Sequence, residues 1–175
     1  MRGMRLRVML PICSAFALTV PAAVSATPVH QVGHGESLYS IAAADGLSVS
    51  QLAAANGVSP SLAAAIGYQE SGFNNDLVSS ADARGVMQIL PGTWQWIQQT
   101  LVAGGPPLAP ASATDNVRGG VLLLRSLLNS TGGDPAMAAA GYYQGLPSIH
   151  QNGVYADTQQ YVNSVMALRQ RFGGG

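Results

Sequence analysis

Only two of the 175 residues are glutamates, and one of them, Glu70, stands where acid–base chemistry is feasible. Glu70 follows Leu62 and Ile66 at the four-residue spacing that places side chains on one face of a helix. An ionised carboxyl on an apolar face is costly, and burial raises a glutamate pKa from about 4.3 towards about 6. Such a group is suited to act as a general acid and base near neutral pH. The spacing equally allows a glutamate at a helix end that turns out to solvent beside Gly72.

The other candidate groups favour structural roles. Glu36 is predicted to lie in the first turn of a short helix, where a negative charge suits the helix dipole, so we expect a capping role. Ser71 has no histidine near it in the sequence, which gives a serine nucleophile no support. The histidines His30, His34 and His150 are scattered, without the His-Glu-x-x-His spacing of zinc sites. We therefore expect neither a metal nor a cofactor.

The composition excludes several classes of protein. Hydrophobic residues make up 47% of the chain and charged residues only 9%, which is the reverse of a disordered or polyelectrolyte chain. There is no lysine, and after residue 26 the chain has five arginines against eight acidic residues. A mildly acidic chain without lysine binds phosphate backbones poorly, so we expect no nucleic-acid partner.

Residues 1–26 are predicted to be a secretory signal peptide. A basic start from Met1 to Arg7 precedes the apolar stretch Val8–Val24, and small residues then precede a cleavage point after Ala26. The apolar stretch is short and interrupted by prolines, which disfavours a retained membrane anchor. The one cysteine, Cys13, would be removed, leaving no thiol or disulfide in the mature chain. We expect a protein without a membrane segment after cleavage, secreted and either extracellular or associated with the cell wall.

Residues 27–58 follow a second pattern. An extended piece ends in the turn Gly35–Leu38, and two short helices are predicted after it, the second from about Ser50 to Asn56. This stretch resembles the start of a LysM module, a small βααβ glycan-binding unit, and the resemblance implies glycan contacts from Gly35 and Ser37. The chain then continues into another helix instead of a second strand, and a lone strand cannot form a sheet. We therefore interpret residues 27–58 as a truncated, βαα LysM-like segment.

From Ser59 to Phe172 the pattern predicts short helices packed around one core. Ser59-Pro60 is a typical helix start, with a serine cap and proline at the first helical position. Helices are expected at about 60–71, 91–101, 115–128, 135–144 and 157–171, the third capped by Thr114 or Asp115. No segment alternates with period two, so we predict a mainly α domain, with Trp94 facing its core.

The motifs of this zone resemble one enzyme family in type and order. They are Gln69–Asn74, Val78–Ser80, Ala83–Pro91, Asp115–Val117 with Gly120, Ala140–Gly145 and Gln160–Val162. The ordered set is similar to that of the soluble lytic transglycosylases, and it gives a predicted catalytic domain at residues 59–175. The resemblance implies a lysozyme-like helical fold. It also implies cleavage of peptidoglycan glycan strands between N-acetylmuramic acid and N-acetylglucosamine.

The resemblance also implies a role for each matching residue. Glu70 would be the catalytic acid and then the base, while the substrate supplies its own acetamido oxygen and C6 hydroxyl and closes a 1,6-anhydro ring. Ordinary glycosidases use two carboxylates instead. Tyr142 would orient the glutamate. The residues that the resemblance places at the glycan, besides Glu70, are Ser79, Met87, Gln88, Tyr142 and Tyr161.

Two alternatives and two departures qualify this prediction. Asp76 and Asp82 lie close to Glu70 in sequence, and either could be the second carboxylate of a hydrolytic lysozyme, which is the first alternative. A non-catalytic peptidoglycan-binding protein is the second. Asp82 stands where the family usually has glycine, although aspartate tolerates a left-handed backbone better than most residues. Tyr143-Gln144 replaces the usual Asn-Ala, which changes the lining of a sugar subsite. Glycan strands are the expected partner, and the sequence does not indicate an oligomeric state.

Overall fold

The computed structural model describes residues 49–102 and 104–173, and this part of the chain is built from helices. Its helices are α1 (Val49–Ala55), α2 (Pro60–Ser71), α3 (Pro91–Trp96), α4 (Ala113–Ser130), α5 (Pro135–Gln144), α6 (Leu146–Asn152) and α7 (Ala156–Arg171). A π-helical segment, Ile97–Leu101, continues α3. Among these residues β pairing is limited to two isolated bridges, from Arg84 to Val78 and to Ile89. The prediction of a mainly α domain is confirmed.

Prolines and polar caps start the helices much as the sequence indicates. Pro60, Pro91 and Pro135 each stand in a first turn, where the missing N–H costs nothing. The Asp134 carboxylate accepts hydrogen bonds from the N–H groups of Ala136 and Met137, at 2.8 and 3.2 Å. Local sequence therefore fixes where these helices begin before any packing is considered.

Two local predictions differ from the structure. Ser112, not Thr114 or Asp115, caps α4, because the Ser112 hydroxyl accepts from the N–H of Asp115 at 3.2 Å. Asp115 lies inside the first turn instead, and its carboxylate accepts from the N–H of Ala109 at 3.0 Å. Helix α6 was not predicted, because a seven-residue helix with two aliphatic residues, Leu146 and Ile149, is too short to show a periodic pattern.

Helix α2 lies at the centre of the core. Ala65 and Ile66 are completely buried, and α1, α4 and α7 pack against α2, while α5 packs on α4 and α7. The α4 stripe predicted from the sequence faces this core, with Val121 and Leu124 fully buried. Trp94 packs against the core as expected, whereas Trp96 is exposed. The end of α2 that carries Glu70 is thus held by packing along the helix.

Helix α1 belongs to the same core as the later helices. Ala53 is fully buried and Val58 nearly so, and both are part of the cluster formed by the later helices. The glycine between them, Gly57, adopts φ +69°, which lets the chain turn directly from α1 into α2. The alanine-rich α1 therefore buries a small apolar face against α2 and α4, and the division of the chain between residues 58 and 59 stays a prediction.

Some sequence predictions lie outside the described residues. They are the signal peptide at 1–26 and the LysM-like turn with Gly35, Glu36 and Ser37. Within 49–102 and 104–173, no helix combines the length and the apolar character that crossing a bilayer requires.

Candidate active site

Glu70 lies in the last turn of α2, partly buried where this helix meets α7. It continues the stripe of Leu62 and Ile66, which are 1% and 0% exposed, so the apolar face predicted from the spacing is real. The hydroxyl of Tyr161 on α7 donates a hydrogen bond to Oε1 of Glu70 at 2.6 Å. This short contact aims the carboxyl into the junction of the two helices and excludes the alternative in which Glu70 turns away to solvent.

The surroundings of Glu70 raise its pKa. Burial has the larger effect, because removing the carboxyl from water disfavours its charged form. The hydrogen bond from Tyr161 opposes this, since it stabilises the carboxylate, but it does not cancel the effect of burial. Glu70 therefore binds a proton at a higher pH than an ordinary glutamate, which is the property needed to donate one to a substrate and take one back.

Tyr161 is suited to remain a hydrogen-bond donor. Burial raises the pKa of its hydroxyl well above the ordinary value, and the nearby negative charge of Glu70 raises it further. The Tyr161 side chain is only 8% exposed, and its ring stacks on that of Tyr143 with centroids 4.7 Å apart. The prediction that placed Tyr161 at the site is consistent with this geometry, although no sequence pattern indicates that Tyr161 contacts Glu70 directly.

Tyr142 performs a different task from the one expected. Its hydroxyl donates to the main-chain carbonyl of Met87 at 2.7 Å, and it is Tyr161 that bonds to Glu70. Tyr142 is nevertheless close enough to Glu70 to be affected by its charge. Burial raises the pKa of the Tyr142 hydroxyl well above the ordinary range, and the charge of Glu70 raises it further. The expectation that Tyr142 orients Glu70 is thus corrected: Tyr142 anchors the loop beside it, since its one proton is committed to Met87.

The loop between α2 and α3 forms one side of the site and has an unusual backbone. Three residues of this loop have a positive φ, a conformation that residues other than glycine rarely adopt: Phe73 at 67°, Asp82 at 62° and Gln88 at 44°. Asp82 confirms that aspartate can take the left-handed turn at this position. Such conformations persist only where the surroundings hold them in place, and they cluster at functional sites.

Asn116 holds this loop from the start of α4. Its Oδ1 accepts from the N–H of Met87 at 2.8 Å, and its Nδ2 donates to the carbonyl of Arg84 at 3.0 Å. The side chain is 1% exposed, so both bonds are made away from water. Gly85 lies between these partners, and a Cβ there would come within 2.5 Å of Nδ2 of Asn116. The glycine is therefore required for the amide to reach both main-chain groups.

Met87 lies in the core and not at a glycan surface. Its side chain is 1% exposed, and a Cβ on Gly120 of α4 would come within 2.7 Å of it. The expectation that Met87 contacts the glycan is corrected, because its side chain fills the space between the loop and α4. What Met87 presents towards the site is its carbonyl, which binds Tyr142.

Ser79 and Gln88, both expected at the glycan, shape the loop itself. The Ser79 hydroxyl accepts from the N–H groups of Ala81 and Ala83 at 3.2 and 3.0 Å. The Gln88 side chain donates to the carbonyls of Leu77 and Gly85, both at 2.9 Å. Both side chains are partly exposed, so their structural bonds leave a contact with substrate a prediction.

Aspartates do not complete a carboxylate pair with Glu70 in the described residues. Asp82 forms an exposed ion pair with Arg84, at 2.7 Å, and Asp76 is exposed on the same loop. The influences on the pKa of Glu70 are burial and Tyr161, with no contribution from an aspartate. No group of three or more potential metal ligands occurs among the described residues either. Within the described part of the chain, Glu70 is therefore the one carboxyl of this site.

Comparison with known proteins matches this domain to a described family. A family model described as the Transglycosylase SLT domain matches residues 48–164, which includes α1 and agrees with its packing. The match covers the helix that carries Glu70, the loop held by Asn116 and the first part of α7, which includes Tyr161.

Solved structures of lytic transglycosylases share the fold. The lytic transglycosylase Slt of Pseudomonas aeruginosa, solved as an inactive glutamate-to-glutamine variant, has 24% identity and a TM-score of 0.64, and the alignment covers 71% of this chain and 23% of that one. The 70 kDa soluble lytic transglycosylase of Escherichia coli has 23% identity and a TM-score of 0.63, over 71% of this chain and 24% of that one.

A 70 kDa soluble lytic transglycosylase in complex with bulgecin A aligns equally well, with 23% identity, a TM-score of 0.64 and coverage of 72% and 24%. This chain thus spans about a quarter of the length of the solved structures that it matches. The prediction of a lysozyme-like helical fold is confirmed.

Proposed function

This chain belongs to the Transglycosylase SLT domain family, and from that premise we propose that it is a lytic transglycosylase that cleaves the glycan strands of peptidoglycan. Glu70 is its single catalytic acid and base, and its products carry 1,6-anhydro-N-acetylmuramic acid ends. The observation that carries the proposal is the environment of Glu70: a half-buried carboxyl with a raised pKa, bonded to Tyr161 and, among residues 49–102 and 104–173, without a second carboxylate beside it.

In the first step Glu70 is the acid. Its raised pKa keeps the carboxyl protonated at a higher pH than usual, so that it transfers a proton to the oxygen of the glycosidic bond as that bond breaks. The N-acetylglucosamine side leaves as an alcohol. The acetamido oxygen of the N-acetylmuramic acid residue bonds to C1 in its place, which removes the need for a carboxylate nucleophile.

In the second step Glu70 is the base. The carboxylate, now stabilised by the Tyr161 hydroxyl, accepts the proton of the C6 hydroxyl of the same sugar. The C6 oxygen bonds to C1 and displaces the acetamido oxygen, which closes the anhydro ring. Glu70 finishes protonated, so the cycle consumes no water and returns the enzyme to its starting state.

The related enzymes support the assignment of a single glutamate. Replacement of one glutamate by glutamine is described as giving an inactive lytic transglycosylase Slt in Pseudomonas aeruginosa. In the present chain only Glu36 and Glu70 could be the equivalent glutamate, because the sequence has no others. The match to the family begins after Glu36, which leaves Glu70.

We also propose that the enzyme is exported. The arginines of Met1–Arg7, the apolar stretch Val8–Val24 and the small residues before Ala26 support cleavage of a signal peptide. Export is what a substrate outside the cytoplasmic membrane requires. The LysM-like turn at Gly35–Leu38 would then precede the helical domain in the mature chain.

Mass spectrometry of the fragments that the chain from Thr27 onward releases from purified peptidoglycan tests the proposal. We expect anhydro ends, which are one water lighter than hydrolysis products. Reducing ends would assign the chain to the hydrolytic lysozymes and overturn the proposed chemistry. No fragments, with the protein still bound to the wall, would identify a binding protein instead.

Matched variants separate these outcomes by residue. Glu70→Gln removes the proton donor while keeping shape and hydrogen bonding, so it should abolish release of fragments. Glu36→Gln makes the same chemical change at the only other glutamate and should leave release intact. Asp76→Asn and Asp82→Asn test whether a second carboxylate participates, and we expect both to keep most of the activity.

A further inference from the structure

Tyr143, a surface residue on α5, contacts the tyrosine that binds Glu70. The rings of Tyr143 and Tyr161 are stacked, with centroids 4.7 Å apart and an angle of 26° between their planes. Tyr143 remains 49% exposed, whereas Tyr161 is 8% exposed, so Tyr143 covers its partner from the solvent side. The hydroxyl of Tyr143 is also 3.4 Å from Oδ2 of Asp157, in the first turn of α7.

The neighbouring residue, Gln144, fixes the two helices so that the rings meet. Its Oε1 accepts from the hydroxyl of Thr158 at 2.8 Å and from the N–H of Tyr155 at 3.1 Å, and its Nε2 donates to the carbonyl of Gly153 at 2.8 Å. Thr158 is completely buried and stands three residues before Tyr161, on the same face of α7. The pair Tyr143-Gln144 therefore joins the end of α5 to the start of α7.

We infer that Tyr143 is a positioning residue, whose ring holds Tyr161 in the orientation in which the Tyr161 hydroxyl binds Glu70. This inference deepens the proposed function and rests on it for its effect on catalysis. Tyr143 does not touch the carboxyl in this role. It acts through Tyr161, because the phenol oxygen lies at the far end of a ring and a small rotation of that ring displaces it.

The groups around the Tyr161 hydroxyl explain why its orientation needs support. Glu70 approaches from α2, and the hydroxyls of Tyr142 and Tyr143 belong to α5. Each of these groups raises the pKa of Tyr161 after burial, so all three are close enough to act electrostatically on its hydroxyl. An aromatic stack restrains the ring without adding a further hydrogen-bond partner that would compete with Glu70.

Steady-state kinetics of three variants on soluble, uncrosslinked peptidoglycan strands test the inference. Tyr143→Ala should lower kcat about two- to tenfold with little change in KM, the range expected for loss of an aromatic pair. Tyr143→Phe keeps the ring and should restore most of kcat. Tyr155→Ala is the matched control, since Tyr155 is 46% exposed and its ring takes no part in the ring contacts of the described residues.

A double-mutant cycle distinguishes positioning from a general effect on folding. In a Tyr161→Phe background no hydroxyl remains to be positioned, so adding Tyr143→Ala should reduce kcat no further. Reductions that multiply independently would overturn the inference, as would a raised KM with unchanged kcat, which would make Tyr143 a glycan contact instead.

A second readout needs no activity. In protein labelled with ¹³C at the glutamate carboxyls, Tyr143→Ala should move the titration of Glu70 in the same direction as Tyr161→Phe, while Tyr155→Ala should leave it unchanged. Movement in the opposite direction would mean that Tyr143 acts only as a cover against water, and would overturn positioning. If the unmodified chain released no fragments, the proposed function would fail while this titration still tested the contact.

Discussion

The hydroxyl of Tyr161 binds Oε1 of Glu70 at 2.6 Å and joins two residues that are 91 positions apart in the chain. The two side chains belong to α2 and α7, whose packing forms part of the core. Burial at this junction raises the pKa of Glu70, and the hydrogen bond limits the increase. The packing of two helices thus determines both the protonation of the carboxyl and the direction in which it points.

Replacing Tyr161 with phenylalanine should raise the pKa of Glu70 further. The variant removes the bond that stabilises the carboxylate and keeps the ring that stacks on Tyr143. We expect kcat to fall about 10- to 100-fold, since a hydrogen bond to a charged group contributes about 1.5–3 kcal/mol and a tenfold change in rate corresponds to about 1.4 kcal/mol. Carboxyl ¹³C NMR across a pH series would measure the pKa.

The composition makes that titration simple. Glu36 and Glu70 are the only glutamates, so two glutamate carboxyl signals are expected and Glu36→Gln identifies the remaining one as Glu70. A Glu70 pKa that stayed the same, or fell, in Tyr161→Phe would show that the hydrogen bond does not stabilise the carboxylate in solution.

Glu70→Gln should make stability less dependent on pH. The pKa of Glu70 is raised in the folded protein, so the proton binds more tightly to the folded than to the unfolded chain. The resulting stabilisation is complete below the unfolded pKa and is lost as the pH rises through the folded value. Glutamine is neutral throughout and escapes this loss. The free energy of unfolding of the variant, relative to that of the unmodified protein, should therefore increase from pH 4 to pH 8.

Urea unfolding at both pH values measures this difference. Asp76→Asn is the control, because it removes a carboxylate from the exposed surface of the loop. An advantage of Glu70→Gln that was the same at pH 4 and pH 8 would contradict a raised pKa.

The sequence was sufficient to predict the helices that carry their own start signals. Pro60, Pro91 and Asp134-Pro135 mark helix starts locally, and an apolar stripe identifies α4. Helix α6 also has a proline, Pro147, in its first turn, but it is seven residues long and buries one residue, so no apolar stripe supports that signal. Local sequence does not indicate that α1 belongs to the core of the later helices, because the burial of Ala53 depends on packing against α2 and α4 and not on residues near it in sequence.

The sequence predicts which residues form the candidate site better than it predicts their hydrogen-bond partners. The stripe through Leu62 and Ile66 made Glu70 a candidate but equally allowed a solvent-facing carboxyl, and the resemblance of the surrounding motifs to the soluble lytic transglycosylases favoured the catalytic role. Its hydrogen-bond donor lies 91 positions away, a distance over which helical spacing carries no information. The sequence places Asn116 in a motif but does not indicate that its amide holds the loop. The one related feature of the sequence is Gly85, which leaves room for that amide.

Asn116→Ala should destabilise the protein and disorganise the loop beside Glu70. The change leaves the N–H of Met87 and the carbonyl of Arg84 without their buried partner. An unsatisfied buried group costs about 1–3 kcal/mol, so we expect a loss of about 2–4 kcal/mol in the free energy of unfolding. Urea denaturation measures the loss, and release of fragments from peptidoglycan reports the loop.

The control for Asn116→Ala is Asn129→Ala, at an exposed position of the same helix. This variant makes the same chemical change without removing a buried partner, and it should stay within about 0.5 kcal/mol of the parent protein. Equal losses in the two variants would indicate that Asn116 matters for helix α4 alone and not for the loop.

Gly120→Ala tests whether the close packing of α4 against the loop matters. The new Cβ would lie 2.7 Å from the side chain of Met87, whose own Cβ and Cγ are too near the backbone to move aside without displacing the loop. Overpacking of this kind costs about 1–3 kcal/mol, and it should move the Met87 carbonyl away from Tyr142 and lower activity as well. Gly92→Ala is the matched control, because a Cβ there meets nothing within 4 Å, and it should be neutral or stabilising by up to about 1 kcal/mol. Thermal unfolding and release of fragments from peptidoglycan are measured for both variants. A Gly120→Ala protein as stable and as active as Gly92→Ala would show that the packing of α4 against the loop tolerates an added methyl group.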